Sequence, residues 1–304
     1  MSIYIPTGAT FDDVKKILDE KNILTKKYTF YWLAHQKRYD TQIKPGRYVL
    51  RNGMNNLELV DMLNTGMQTP VQVVFNNIRD RYQLAGKISQ QIEADSASIV
   101  RLLNDSDYMS HFGLNKFTAT ALFIPNTYEF WWNTGATQFM ARMYKEYEAF
   151  WNSQRKAQAA ALNLDIPKVV ILASIVEKET NKNEEKPAIA GVYVNRLRKG
   201  WPLQADPTLV YASGDYDMKR VLNLHKAIDS PYNTYKNTGL PPGPICIPSI
   251  ASIDAVLDYK HDNAMFFCAR ADMSGYHVFA NTLAEHNRNA LAYQRALDQM
   301  KVIK

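Results

Sequence analysis

The chain has 304 residues, of which 46% are hydrophobic and 22% charged, a balance ordinary for a globular protein with a sizeable core. Its net charge is +6, and because the basic residues are spread along the chain without a nucleic-acid-binding motif, we expect no nucleic acid partner. No apolar run is long enough to span a bilayer, and two cysteines are too few for a disulfide framework. The six histidines form no metal-ligand motif, so we predict neither a metal nor another cofactor.

The first 70 residues predict a small α/β module. An opening strand leads into a helix that begins with a capping box formed by Thr10 and Asp13. The pattern then predicts a helix over 28–38, a strand over 44–50 and a third helix that ends at Gly66. The side chains expected to face the core from the second and third helices are Tyr28, Trp32, Leu33, Leu57, Val60 and Leu63.

From residue 71 the pattern changes to longer helices, predicted over 81–93, 95–104 and 136–162. Between the last two lies LFIPNTYEFWW at 122–132, which we interpret as an aromatic loop. Its Phe123 and Phe130 are expected in the core. Three further aromatic residues suit either core packing or stacking on sugar rings, namely Tyr128, Trp131 and Trp132.

The segment ILASIVEKET at 171–180 predicts a buried helix whose apolar face ends in a carboxylate. At about 100° per residue, Ile175 and Val176 fall on the same side as Glu179, whereas Glu177 lies roughly opposite. A glutamate among methyl groups loses solvation of its charged form, which raises its pKa and keeps it protonated nearer neutral pH. Glu179 is therefore a candidate general acid. The alternative is a surface glutamate at a fraying helix end, and this segment alone leaves both open.

The remainder of the chain predicts further short elements. One helix ends at Gly200 and another begins after Ser249. A β-hairpin is expected between MFFCA at 265–269 and YHVF at 276–279, followed by a C-terminal helix that Thr282 and Glu285 open with a second capping box.

Read in order after IVEKET, three downstream segments resemble the endolytic murein transglycosylase (YceG-like) family. They are GVYVNRLRKGWPLQADPTLVYASG at 191–214, SPYNTYKNTGLPPGPICIPS at 230–249 and GYHVFANTLAEHNRNA at 275–290. The resemblance implies an α+β fold, with a small LysM-like α/β module over 1–70 and a mostly helical YceG-like catalytic domain with a short β-hairpin over 71–304. The LysM-like module would either contact glycan or act as a spacer.

The resemblance also implies where the protein acts and what it contacts. The substrate would be peptidoglycan glycan strands, cut internally by a bacterial enzyme. A single transmembrane helix before residue 1 would anchor the protein in the inner membrane, with its catalytic domain on the extracytoplasmic, periplasmic side. Association with peptidoglycan synthases is implied as well. The family's catalytic glutamate corresponds to the second carboxylate of EKET, Glu179, which is the residue that helix geometry also selects.

Sugar binding calls for polar and aromatic side chains near the acid. The candidate substrate-binding residues are Gln204, Asp206, Asn233, Tyr235, Glu177 and Asn281. Asp206 has an alternative role as a helix cap, and Asn281 as a residue of the hairpin end. Glu177 would act as a neighbouring negative charge that raises the pKa of Glu179.

Glycoside hydrolases usually place two carboxylates around the scissile bond. The resemblance instead implies one glutamate that protonates the glycosidic oxygen and then accepts a proton from the sugar's own C6 hydroxyl, which leaves 1,6-anhydro-N-acetylmuramic acid ends. Two alternatives stay open. One is a hydrolase that uses Asp206 or Glu285 as a second carboxylate, and the other is a non-catalytic glycan-binding scaffold.

Overall fold

The computed structural model describes residues 1–218 and 220–302. The chain folds as an α+β protein that is mostly helical, with antiparallel sheets of two strands each. The elements up to residue 150 are β1 (Ser2–Ile5), α1 (Phe11–Glu20), α2 (Lys27–Gln36), β2 (Gly46–Val49), α3 (Asn56–Thr65), β3 (Val71–Phe75), α4 (Arg81–Ser89), α5 (Ser96–Asn104), α6 (Ser106–Ser110), β4 (Asn126–Phe130) and α7 (Ala136–Phe150). Those that follow are α8 (Ser153–Ala161), α9 (Ile166–Glu179), α10 (Lys186–Arg198), α11 (Asp206–Ser213), α12 (Ile250–Leu257), β5 (Phe266–Ala269), β6 (His277–Ala280) and α13 (Leu283–Val302).

Contacts between residues divide the chain into two compact units. Unit 1 comprises 1–75, 82–102 and 126–142, and unit 2 comprises 76–81, 103–125 and the chain from 143 onward. The domain boundary expected near residue 70 and the LysM-like nature of the first module stay predictions.

The N-terminal part of unit 1 has its own hydrophobic core. Strand β1 pairs antiparallel with β2, and α1, α2 and α3 pack around this pair. The Thr10–Asp13 capping box is confirmed, and Gly66 ends α3 in the left-handed region at φ 74°, as predicted. The largest fully buried side chains in this core are Tyr39, Tyr48, Phe30, Ile3, Ile5, Leu18 and Leu63.

The predicted inner face of α2 was wrong at Tyr28 and Trp32, whereas Leu33 is half-buried against this core as predicted. Tyr28 is 89% exposed and Trp32 is 62% exposed, and Phe30 and Ala34 are buried in their place. Aromatic or apolar side chains occupy almost every position of KYTFYWLA, so their spacing does not define one helix face. Leu57 in α3 is likewise exposed rather than inward.

The aromatic segment at 122–132 contains a strand where a loop was predicted. Strand β4 pairs antiparallel with β3, so that Val71 lies opposite Phe130. Along β4 the buried Tyr128 and Phe130 alternate with exposed residues, which is the period of two expected for a half-buried strand. Tyr128 stacks on Phe75 in this core, and Trp131 remains half exposed.

The long helix predicted over 136–162 is two helices. It breaks after α7, where Trp151 is fully buried and the Asn152 side chain accepts a hydrogen bond from the Arg155 N–H at 3.0 Å to begin α8. No single helix among the described residues has the length and apolar composition to cross a membrane. Helices α8 and α9 meet that test only as a pair, with a bend of 78° between them.

Helix α9 runs through the core of unit 2, and every residue from Val169 to Val176 is buried. It packs against α10 and α12. The predicted hairpin is confirmed as β5 paired with β6, and the Thr282–Glu285 capping contacts at the start of α13 are present. Cys246 and Cys268 are both free thiols.

Candidate active site

A cleft of about 340 Å³ opens in unit 2 at the C-terminal end of α9. Its lining residues are Glu179, Tyr193, Arg196, Gln204, Asp206, Tyr235, Phe266, Phe267, Leu283 and His286. The cleft thus brings together four of the predicted site residues, which are Glu179, Gln204, Asp206 and Tyr235. They come from a helix and two turns that are far apart in sequence.

Glu179 is the last residue of α9 and is partly buried, with the Tyr193 hydroxyl of α10 donating a hydrogen bond to its Oε1. Burial raises the pKa of Glu179, and the hydrogen bond from Tyr193 lowers it. The negative charge of Asp206 raises this pKa further, and the positive charge of Arg196 lowers it. The balance brings the pKa of Glu179 to about 7 from its usual 4.5, so that near neutral pH the carboxyl group can both give and take a proton.

One threonine joins the two turns that face this acid. The Gln204 N–H donates to the Thr234 carbonyl at 3.0 Å, and the Ala205 N–H donates to the Thr234 hydroxyl at 3.0 Å. The hydroxyl groups of Thr234 and Thr208 lie 2.8 Å apart. Gln204 itself adopts a left-handed conformation with φ 52°, which is uncommon for a residue other than glycine and is often found at functional sites.

Asp206 is the first residue of α11 rather than its cap, since Ala205 holds the N-cap position. The Tyr235 hydroxyl donates to Asp206 Oδ1 at 2.5 Å. Burial raises the pKa of Tyr235, so this hydroxyl stays protonated and acts as a donor. The pair therefore presents an oriented carboxylate and a phenol to the cleft.

Asn233 lies in the same turn but outside the cleft. It is fully buried, and its amide group donates to the carbonyls of Lys226 and Ile228 at 3.0 and 2.8 Å. Its Oδ1 accepts from the Tyr235 N–H at 2.9 Å. Asn233 thus shapes the turn that presents Tyr235. Asn281 is exposed and does not line the cleft, and its N–H donates to Glu285.

Glu177 belongs to a separate group on the far side of α9, which we call the Glu177 cluster and define as Glu177, Lys186, Ser249 and Ser252. Its Oε2 accepts from Lys186 Nζ at 3.1 Å and from the hydroxyls of Ser249 and Ser252 at 2.6 and 2.5 Å. Burial alone would raise the pKa of Glu177, but these hydrogen bonds outweigh it and the pKa is lowered. The negative charge that raises the pKa of Glu179 therefore comes from Asp206.

Six cleft residues lie outside the predicted set of catalytic and substrate-binding residues, namely Tyr193, Arg196, Phe266, Phe267, Leu283 and His286. A signal existed for Tyr193 and Arg196, which are three residues apart and so share one face of a helix that is otherwise largely apolar there. His286 is one of several polar residues in the segment at 275–290, and nothing there singled it out. Nothing in the sequence distinguished Phe266, Phe267 and Leu283 from core residues. Within the described parts of the chain, no group of three or more His, Cys, Asp or Glu side chains is arranged to hold a metal ion.

Comparison with known proteins gives consistent results over nearly the whole chain. A protein of Bacillus subtilis named endolytic murein transglycosylase is 28% identical over 95% of this chain and 83% of its own length. One of Streptococcus pneumoniae with the same name is 26% identical over 95% of this chain, which spans only 57% of that longer protein. The 2.6 Å crystal structure of a yceG-like protein of Listeria monocytogenes has a TM-score of 0.63 and 28% identity, covering 95% of this chain and 98% of its own. Residues 3–292 match the YceG-like family, and the chain belongs to that family.

Proposed function

We propose that this protein is an endolytic murein transglycosylase, a lyase that cuts the glycan strands of peptidoglycan internally. The names of its relatives support this activity. The observation that carries it is the setting of Glu179, a carboxyl group with a pKa of about 7 that opens onto a cleft lined by polar and aromatic side chains. Such a group can serve as acid and base in turn.

The first step is proton donation. Tyr193 already donates to Oε1 of Glu179, so the proton of the neutral acid is carried by Oε2. Glu179 gives this proton to the glycosidic oxygen while the bond from that oxygen to C1 of N-acetylmuramic acid breaks. The sugar that remains has oxocarbenium-ion character, and the carboxylate of Asp206 lies in the same cleft to offset its positive charge.

The second step returns the proton. The Glu179 carboxylate accepts a proton from the C6 hydroxyl of the same sugar, and the C6 oxygen forms a bond to C1. The product is a 1,6-anhydro ring, and no water molecule has to be positioned because the attack is intramolecular. The Tyr193 hydrogen bond and the charge of Arg196 both favour the ionised form of Glu179 that exists between the steps.

The resemblance of the sequence supports further parts of the proposal. We propose that the enzyme cuts the bond between N-acetylmuramic acid and N-acetylglucosamine in nascent strands, beside peptidoglycan synthases. We also propose that a single transmembrane helix anchors it in the inner membrane, with the catalytic domain on the extracytoplasmic side. The N-terminal module would then either contact glycan, as LysM-like modules do, or hold the catalytic domain at a distance from the membrane.

The function is tested by digesting purified peptidoglycan with the protein and with Glu179→Gln, and by analysing the products by mass spectrometry. We expect anhydro ends from the wild type and no cleavage by the variant, which should keep its circular dichroism spectrum and its binding to strands. Glu285→Gln is the matched control and should still cleave, because Glu285 accepts from the Asn281 and Thr282 N–H groups as a helix cap.

A second candidate function is hydrolysis of the same bond, which is favoured by the presence of Asp206 in the cleft as a second carboxylate. Reducing ends that carry an added water molecule would establish hydrolysis in place of the lyase reaction. Unchanged turnover by Glu179→Gln would remove Glu179 from either mechanism.

A further inference from the structure

Arg196 is a buried cation without an acidic partner. Its side chain lies on α10 one turn after Tyr193, and the residue is only 8% exposed. Among the described residues no carboxylate lies within 4.0 Å of its guanidinium group, although Glu179 and Asp206 line the same cleft. The contacts that the protein leaves open at this guanidinium group can be completed only from the cleft, by water or by a bound ligand.

The guanidinium group is nevertheless held firmly. Its Nε donates to the Met265 carbonyl at 2.8 Å and its Nη1 donates to the Leu203 carbonyl at 2.5 Å. The group also lies over the ring of Phe266, 5.5 Å from its centre, and this ring in turn stacks on His286. Two hydrogen bonds and an aromatic face therefore fix the plane of the guanidinium group and the direction of its forked N–H groups, which we call the fork.

One end of the fork is unused. Within the described chain Nη2 has no hydrogen-bond partner, and Arg196 is one of the residues that line the cleft. A fixed guanidinium N–H pair is well suited to carbonyl and carboxylate oxygens, which accept in the plane of the fork. Sugar hydroxyls can both donate and accept hydrogen bonds, so they depend less on a partner that only donates.

We propose that Arg196 binds, through Nη2, an acyl oxygen carried by the sugar that is cut. This inference depends on the proposed function, since N-acetylmuramic acid carries two such groups close to C1: the N-acetyl carbonyl at C2 and the acyl group of the lactyl ether at C3. Arg196 is then the residue that distinguishes acylated amino sugars from sugars that carry only hydroxyl groups. Its position beside Tyr193 and Glu179 would orient the sugar relative to the acid.

The test compares three substrates. Uncrosslinked strands are used intact, after enzymatic removal of the N-acetyl groups, and after amidase treatment, which leaves a free lactyl carboxylate. Release of anhydro ends gives kcat/KM for the wild type, Arg196→Gln and Arg196→Lys on each. Arg198→Gln is the matched control, because Arg198 is on the same helix but donates to the Tyr259 hydroxyl at 2.6 Å instead of lining the cleft.

For the wild type we expect kcat/KM to differ by about 10- to 100-fold between intact strands and strands that lack the recognised acyl group. This is the range for a hydrogen bond to a charged group. Loss of rate on removal of the N-acetyl groups would identify the C2 carbonyl, and a changed rate after amidase treatment would identify the C3 group. In either case Arg196→Gln should abolish the difference, mainly through KM, and Arg198→Gln should keep it. Should Arg196→Gln fail to fold, Arg196→Lys gives the answer, since it keeps the charge but loses the fork and should weaken the difference.

Equal slowing of all three substrates by the Arg196 variants would overturn the inference, because it would assign Arg196 a purely electrostatic or structural role. The proposed function would survive that result. A wild-type protein that cuts none of the strands would overturn the proposed function and this inference together.

Discussion

Two carboxylates of one helical turn behave in opposite ways. Glu177 and Glu179 are two residues apart at the end of α9, and the helix directs them to opposite sides. In the Glu177 cluster the carboxylate meets a lysine and two hydroxyl groups, and its pKa is lowered. In the cleft, burial dominates and the pKa of Glu179 rises to about 7.

The difference shows that the number of charge-stabilising contacts, and not residue type or burial alone, separates a carboxylate with a lowered pKa from one with a raised pKa. Both side chains are partly buried, and in both cases burial is the largest single influence on the pKa. In Glu177 four hydrogen bonds, counting that from the Ser249 N–H at 3.3 Å, stabilise the charged form in place of the lost water. Glu179 has only the hydrogen bond from Tyr193 among the residues that the structure describes.

The largest effect is expected from Glu177→Gln. The change leaves Lys186, only 4% exposed, with an uncompensated charge, so we expect a loss of about 3 kcal/mol in the free energy of unfolding at pH 7. Urea denaturation measures it. The lowered pKa of Glu177 means that its stabilising effect is present above pH 4.5 and is lost as the pH falls through the folded-state value, so the two proteins should converge in acid.

A double variant provides the control for that experiment. Replacing Lys186 by Met together with Glu177→Gln removes both charges and should recover part of the lost stability. If Glu177→Gln is as stable as the wild type at pH 7, the cluster does not anchor α9.

A smaller effect of opposite sign is expected from Glu179→Gln, which should stabilise the protein while abolishing activity. Between pH 4.5 and about 7 the unfolded glutamate ionises while the folded one keeps its proton, so stability falls as the pH rises through this range. The gap corresponds to at most about 3 kcal/mol, and because Glu179 is partly exposed we expect about 2 kcal/mol. Thermal unfolding at pH 8 should show the gain, and at pH 4 it should be absent. Destabilisation at pH 8 would contradict this description of the cleft.

The smallest effects concern the pH dependence of activity. Because Glu179 must be protonated to donate, kcat/KM should decline as the pH rises through about 7. Tyr193→Phe removes a hydrogen bond that lowers this pKa and should move the decline to higher pH. Asp206→Asn removes a charge that raises it and should move the decline to lower pH, each by less than about one pH unit. Shifts in the same direction would show that Glu179 does not control this part of the profile.

Local patterns in the sequence were enough to select Glu179 as the candidate acid and to locate several of the elements around it. The period of α9 separated Glu179 from Glu177, and the two capping boxes and Gly66 marked helix ends, because each of these signals lies within a few residues. The failures arise where tertiary contacts decide. In α2 the crowding of aromatic residues concealed which side is buried, and β4 became recognisable only through its pairing with β3.

The same limit applies inside the cleft. Asn233 and Tyr235 were equally suited to sugar by residue type, but the backbone of their turn buries one and exposes the other to the cleft. The partners of Glu177 lie on α10 and at the start of α12, more than 70 residues away in the case of Ser249 and Ser252, so no pattern along α9 could show them. The free Nη2 of Arg196 is likewise visible only in the folded structure, because its neighbours Nε and Nη1 are bound by the carbonyls of Met265 and Leu203.

The Tyr193 hydroxyl on Oε1 has a consequence for successive turnovers under the proposed mechanism. With Oε1 engaged, loss and return of the proton take place at Oε2, and the proton accepted in the second step restores the neutral acid. Each cut thus restores the protonated glutamate that the next cut needs, and the net reaction neither consumes nor releases H⁺.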